Sequence, residues 1–145
     1  MEKKVLVFSI TMILTVAVFG VQQYDYMNLD SLQNLMSEML EKKGYSWVLP
    51  IILKDDKTGE ITFKFDFLKS RSEKDYAFAI NVSVTMVGVV AKKVTWKIHP
   101  KIYFTQNSLK TLVAWFYTED AKKIPEIKDR MKLGKFVWTH IHWKE

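Results

Sequence analysis

Tyr76-Ala77-Phe78-Ala79-Ile80-Asn81-Val82-Ser83-Val84-Thr85-Met86 is the stretch on which the fold turns. Large apolar residues at 76, 78, 80, 82, 84 and 86 alternate with smaller or polar ones. That period of two predicts a long strand, buried on one face and carrying small residues on the other. The flanking sequence extends the pattern. Upstream, Trp47–Leu53 and Ile61–Leu68 enclose Asp55-Asp56-Lys57-Thr58-Gly59, a loop suited to a β-hairpin. Phe63, Phe65 and Phe67 alternate there with Thr62, Lys64 and Asp66, which predicts one buried and one wet face. Pro50 lacks an N–H and marks the first strand as a sheet edge. Downstream, Val94, Trp96, Ile98, Ile102 and Phe104 alternate with Thr95, Lys97, His99, Lys101 and Thr105, with Pro100 implying a bulge or an edge.

Helical patterns surround this predicted meander. Between Asn28 and Lys43, Leu29, Leu32, Leu35, Met36, Met39 and Leu40 share one face at 3.6-residue spacing. Asp30 is placed to cap that helix with Gln33 three positions on, and Gly44 suits its C-terminal stop. A second helix is expected from Ser108, carrying Leu109, Leu112, Val113 and Phe116. Pro125 suits the first position of a short third helix, with Ile124, Ile127 and Met131 inward and Gly134 at its end. Lys135 to Trp143 then reads as a closing strand. The expected class is α+β: an N-terminal hydrophobic helix, then a four- to five-stranded antiparallel sheet whose aromatic face is covered by helices. Cystatin-like and NTF2-like curled sheets are similar architectures, an analogy of fold that carries no function.

The first 21 residues set the expected location. Met1-Glu2-Lys3-Lys4 precedes an apolar run from Val5 to Val21, the pattern of a signal peptide or a membrane anchor. Lysines before the run and none after it until Lys42 favour export of the C-terminal side. Residues 22–145 then form one exported domain, secreted, periplasmic or at the cell surface. A hydrophobic segment leading into an amphipathic helix and a meander resembles the layout of type IV pilins and pseudopilins. The family's Gly–aromatic processing site, followed by Glu at the fifth position, has no counterpart in Met1–Gly20.

Composition narrows the chemistry. The absence of cysteine excludes disulfides, thiolate metal sites and cysteine nucleophiles. GxSxG, P-loop, GxGxxG and HExxH patterns are also missing, so the sequence leans away from an enzyme. Charge is uneven. Residues 22–91 carry eight basic and ten acidic side chains, whereas residues 92–145 carry twelve basic and five acidic. Lys122, Lys123, Lys128, Arg130, Lys132 and Lys135 are therefore candidate contacts for an anionic lipid, a cell-wall polymer or an acidic protein. Nucleic acid is not an expected partner of an exported chain.

Two further sites are expectations from pattern alone. His140-Ile141-His142 in a strand would place both imidazoles on one side, and His99 is the remaining histidine. Strand-borne imidazoles at that spacing suit Zn or Cu, although no cofactor is otherwise implied. Phe63, Phe65, Phe67, Phe78, Trp96, Phe104 and Phe116 fall on predicted inward faces and are candidates to line an apolar pocket. The expected function is a non-enzymatic extracytoplasmic binding or accessory module. It would contact an anionic surface, a partner protein or a small apolar ligand. The alternatives are a membrane-anchored subunit of an envelope assembly and a His-based metal-binding domain.

Overall fold

A computed structural model of the chain describes residues 28–68, 71–107 and 113–144. The hydrophobic start at 1–21 and the segment Ser108–Leu112 lie outside the described residues. The first helix, α1 (Leu29–Lys42), buries Leu32, Met36, Met39 and Leu40, the stripe that its spacing predicts. Its cap is Asn28 rather than Asp30, with the Asn28 side chain accepting from the Ser31 N–H at 2.7 Å. Gly44 takes φ 84°, and the N–H groups of Gly44 and Tyr45 return to the carbonyls of Glu41 and Leu40. These two bonds close the helix as a Schellman motif.

Strands β1 (Val48–Lys54) and β2 (Ile61–Phe67) form the expected antiparallel hairpin. In its loop the Asp55 carboxylate accepts from the N–H groups of Lys57 and Thr58 at 2.8 and 3.0 Å. These bonds favour the charged form and hold the Asp55 carboxyl below its usual range. β1 is a sheet edge, as Pro50 implies. The Ile52 N–H donates to Gln33 Oε1 of α1 at 2.8 Å, so the predicted capping partner instead closes the sheet edge.

The main correction concerns the deciding stretch. Residues Glu73–Lys93 form a 21-residue helix, α2, and not a strand. The reason is burial on every side. All residues from Val82 to Ala91 are buried, together with Ala79 and Ile80, so neither a period of 2 nor one of 3.6 is required. A valine in a helix costs at most about 0.7 kcal/mol relative to alanine. Burying its side chain returns about 1.5–3 kcal/mol, which decides the contest. The small alternating residues serve close packing. Ser83 Oγ donates to the Ala79 carbonyl and Thr85 Oγ1 to the Asn81 carbonyl, each at 2.7 Å, so neither buried hydroxyl is wasted. Ser72 caps the helix by accepting from the Asp75 N–H, and Lys92 and Lys93 occupy its last turn.

A helix at this position changes the sheet. Strand β3 (Lys101–Gln106) follows α2 and lies parallel to β2, in register Phe65↔Phe104 and Asp66↔Thr105. A helical crossover is what a parallel pair requires. The sheet is therefore mixed rather than wholly antiparallel, and its order is β1-β2-β3-β4-β5. The strand expected from Val94 starts only at Lys101, after Pro100, with Ile98 making one isolated bridge to Ile61. Ala114–Tyr117, expected to be helical, is strand β4, antiparallel to β3 with Ile102↔Phe116. A short helix α3 (Thr118–Ala121) and a 3₁₀ turn at Ile124–Glu126 follow, with Pro125 in that turn.

Helix α4 (Arg130–His140) is capped by the Asp129 carboxylate, which accepts from the Lys132 N–H at 3.0 Å. It passes through Gly134 and covers most of the predicted closing strand, leaving His142–Trp143 as β5. Leu133 and Val137 point inward, while Met131, expected inside, is 85% exposed. The class is α+β, and Phe63, Phe65, Phe67, Phe104 and Phe116 form one buried cluster with apolar residues of α1 and α2.

Two glycines give a paired prediction. A Cβ on Gly88 of α2 would overlap the Ala121 carbonyl, whereas one on Gly134 of α4 would meet open space. Gly88→Ala should cost about 1–3 kcal/mol in urea denaturation. Gly134→Ala should stabilise by about 0.5–1 kcal/mol. Equal effects of the two would contradict this packing.

Candidate functional site

The register of the five strands sorts their side chains onto two faces. The phenylalanines fill one. The other carries Leu49 and Leu53 of β1, Lys64 and Asp66 of β2, Lys101, Tyr103 and Thr105 of β3, Trp115 and Tyr117 of β4, and His142 of β5. At one corner this face is polar and closed. Thr105 Oγ1 donates to Asp66 Oδ1 at 2.7 Å, and both residues are buried. Towards β5 it is aromatic and half exposed.

Four residues there form a ladder across three strands. His142 stacks on Trp115 with ring centroids 3.8 Å apart and planes 8° from parallel. Lys101 Nζ lies 4.2 Å from the Trp115 ring centre, a cation–π distance. Tyr117 meets the edges of both rings, at 4.7 Å from Trp115 and 5.4 Å from His142. Directly opposite Trp115 on β3 stands Tyr103, whose ring lies 5.3 Å from that of His99. His99 Nε2 is 3.9 Å from Glu60 Oε1, and His99 Nδ1 accepts from the Lys101 N–H at 3.0 Å. Burial, and then the Glu60 charge, push the Tyr103 phenol above its usual value. Pairing of this kind on strands fixes the rings without immobilising loops, so the face is pre-organised.

The histidines are distributed differently from the strand reading. His140 ends α4, where its Nδ1 lies 2.7 Å from the Phe136 carbonyl and its ring stacks on Phe136. A carbonyl accepts only, so Nδ1 carries the proton there. His142 is on the sheet face and His99 lies beside Glu60. The helix through His140 removes the two-residue strand spacing. Among the described residues no group of three His, Asp or Glu side chains is placed to hold a metal ion.

The basic cluster is partly paired. Lys122 meets Glu119 at 2.9 Å and Lys123 meets Asp120 at 3.3 Å. Lys128 and Lys132 border an open cavity of about 590 Å³ that also contains Glu126 and Asp129, while Lys135 is exposed on α4. Arg130 is the first residue of that helix. Of the proposed pocket residues, Phe63, Phe65, Phe67, Phe104 and Phe116 pack against one another and their helices. Phe78 and Trp96 are half-buried. Elsewhere, burial lowers the Lys43 ammonium at the end of α1 to about 8.

Trp115 and Tyr117 were not candidates in the sequence because their segment reads as helix, and Lys101 reads only as part of the polar face of a strand. The overlooked signal is Ala114-Trp115-Phe116-Tyr117, an aromatic run with strong strand preference. Comparison of the chain with protein-family models, with curated proteins and with solved structures finds no match.

The effect of the Glu60 charge on Tyr103 has a measurable consequence. Ultraviolet titration of Glu60→Gln should show one phenol moving down towards the ordinary value of 10.0, but stopping short because burial, the larger cause, persists. Tyr103→Phe should remove that phase. A raised folded-state value favours the protonated phenol, so its contribution to stability is complete below 10.0 and is lost as pH climbs through the folded value. An unmoved titration in Glu60→Gln would contradict the influence of the Glu60 charge on Tyr103.

Proposed function

We propose that this chain is a non-catalytic extracytoplasmic binding module that engages an acidic protein through the second face of its sheet. The Lys101–Trp115–His142 ladder, with Tyr117 at its edge, is the observation that carries the reading. Trp and Tyr are the residues in which protein interfaces concentrate their binding energy. Here they remain partly in water. Tyr117 is 40% exposed, and across the sheet Leu49 and Leu53 are 40% and 53% exposed. An apolar strip of this kind with a charged centre has the layout of an interaction surface.

Charge selects the partner. Lys64 and Lys101 lie on the face, and the buried Asp66 is already engaged by Thr105. The excess of basic over acidic residues after 91 adds a longer-range attraction for acidic surfaces. The expected export rests on the Lys3-Lys4 start and the apolar run that follows it.

Site-specific photo-cross-linking in the native host tests this reading. A photoreactive residue at Leu53 or Tyr117 should give one discrete protein adduct, and the same residue at Lys57 in the hairpin loop should not. Lys101→Glu should abolish the adduct, as should about 1 M salt, where the screening length falls to about 3 Å. Equal labelling from Lys57, or labelling indifferent to charge reversal, would remove the proposal.

A further inference from the structure

A separate cleft lies on the phenylalanine side of the sheet, where β5 ends. It has a volume of about 380 Å³ and is lined by Glu73, Tyr76, Trp138 and Trp143. The four side chains arrive from three elements. Glu73 and Tyr76 come from the first turn of α2, Trp138 from α4 and Trp143 from β5. The two indoles stand at 60° with centroids 6.1 Å apart, forming a corner. Tyr76 is braced by Phe67 at 5.1 Å and Trp47 at 5.8 Å, so its ring is held in place. Trp138 and Trp143 are 51% and 40% exposed, although both are large apolar rings.

We propose that this cleft binds a quaternary ammonium group. The lining consists of three aromatic rings and a carboxylate, and the π-face of an aromatic ring attracts a cation. A tetraalkylated nitrogen spreads its charge over methyl groups that pack against rings and lose little hydration. A bare ammonium or metal cation would forfeit its water here without replacement ligands. A sugar would need several hydrogen-bonding partners. The cleft has Glu73 and the Tyr76 hydroxyl, and that hydroxyl already accepts from the Arg71 N–H at 2.9 Å.

The surrounding charges permit a cation. Glu73 makes no ion pair with another described residue, leaving its carboxylate free for a ligand. The cations nearest in sequence are directed to other rings: the Arg71 guanidinium lies over Trp47 and the Lys74 ammonium over Phe78. Glu73 and Asp75 together offset the positive end of the α2 dipole. The group occurs both free, as in choline, and on phosphatidylcholine headgroups.

The test uses the full chain with ¹⁵N-labelled tryptophan, so that each indole N–H is read separately. Choline should shift the Trp138 and Trp143 signals saturably, while 3,3-dimethylbutan-1-ol, its neutral carbon isostere, should bind at least about tenfold more weakly. Glu73→Gln should weaken choline binding about threefold or more, and Trp138→Ala about tenfold. Trp138 is half exposed, so its replacement should leave the thermal transition near wild type, which circular dichroism checks. Co-sedimentation with phosphatidylcholine but not phosphatidylglycerol vesicles would assign a lipid headgroup as the source. Binding of choline without such sedimentation would assign the free molecule. Equal affinity for the neutral isostere, or no indole shift with choline, would overturn the proposal. Photo-cross-linking from Leu53 and Tyr117 is unaffected by either result, because those residues lie on the opposite face.

Discussion

Everything in this fold depends on enclosing one helix that its own residues resist. Between Ala79 and Ala91, α2 is built mainly from Val, Ile, Thr and Ser, residues of modest helix preference. Their branched side chains lose rotamer freedom against the preceding turn, a cost of tenths of a kcal/mol each. Enclosure outweighs that cost, because all of these side chains except Asn81 are buried. Near contacts make the enclosure tight. The Ala121 carbonyl sits where any side chain at position 88 would have to go, so a glycine is required there by close approach and not by backbone angle.

The two-faced sheet follows from that helix. Because α2 carries the chain from β2 to β3 as a crossover, the central pair is parallel and the phenylalanine sides of both strands face the same core. With the core on one side, the alternate residues of β3, β4 and β5 are directed away from it. Lys101, Trp115 and His142 become neighbours only because those strands are adjacent, 14 and 27 residues apart in sequence. The aromatic ladder is thus a product of topology rather than of any local motif.

This explains which parts were legible in the sequence. Helix α1 and the β1–β2 hairpin are amphipathic, with one side in water, and their periods state their structure. Pro50 marked its strand as an edge because the missing N–H has a direct structural meaning. In α2 water touches neither side of the central turns, so the period loses its information. The alternation of Val with Ser and Thr then records packing against several neighbours. Ser72 and Asp75 had marked a helix start in capping-box form, a local signal set against a misleading pattern. One wrong period propagated: a strand at 76–86 made the sheet a meander and left 114–117 and 135–141 to be assigned around it. The strand spacing read for His140 and His142 is absent for the same reason, because His140 ends a helix.

The edges of the sheet show where interaction can occur. An unprotected edge strand invites pairing with another chain. On β1 the outward positions are occupied: the Val48 N–H donates to the Tyr45 carbonyl, Pro50 has no N–H, and the Ile52 N–H donates to Gln33. At the other edge β5 is only two residues long, too short to template a partner strand. With both edges blunted, strand addition is disfavoured. The side chains are unusually aromatic on both sides of β5, with His142 turned to the ladder and Trp143 to the cleft. A two-residue strand alternates like any other, so β5 supplies one ring to each face. Shifting its register by a single residue would exchange the two rings and dismantle both arrangements at once.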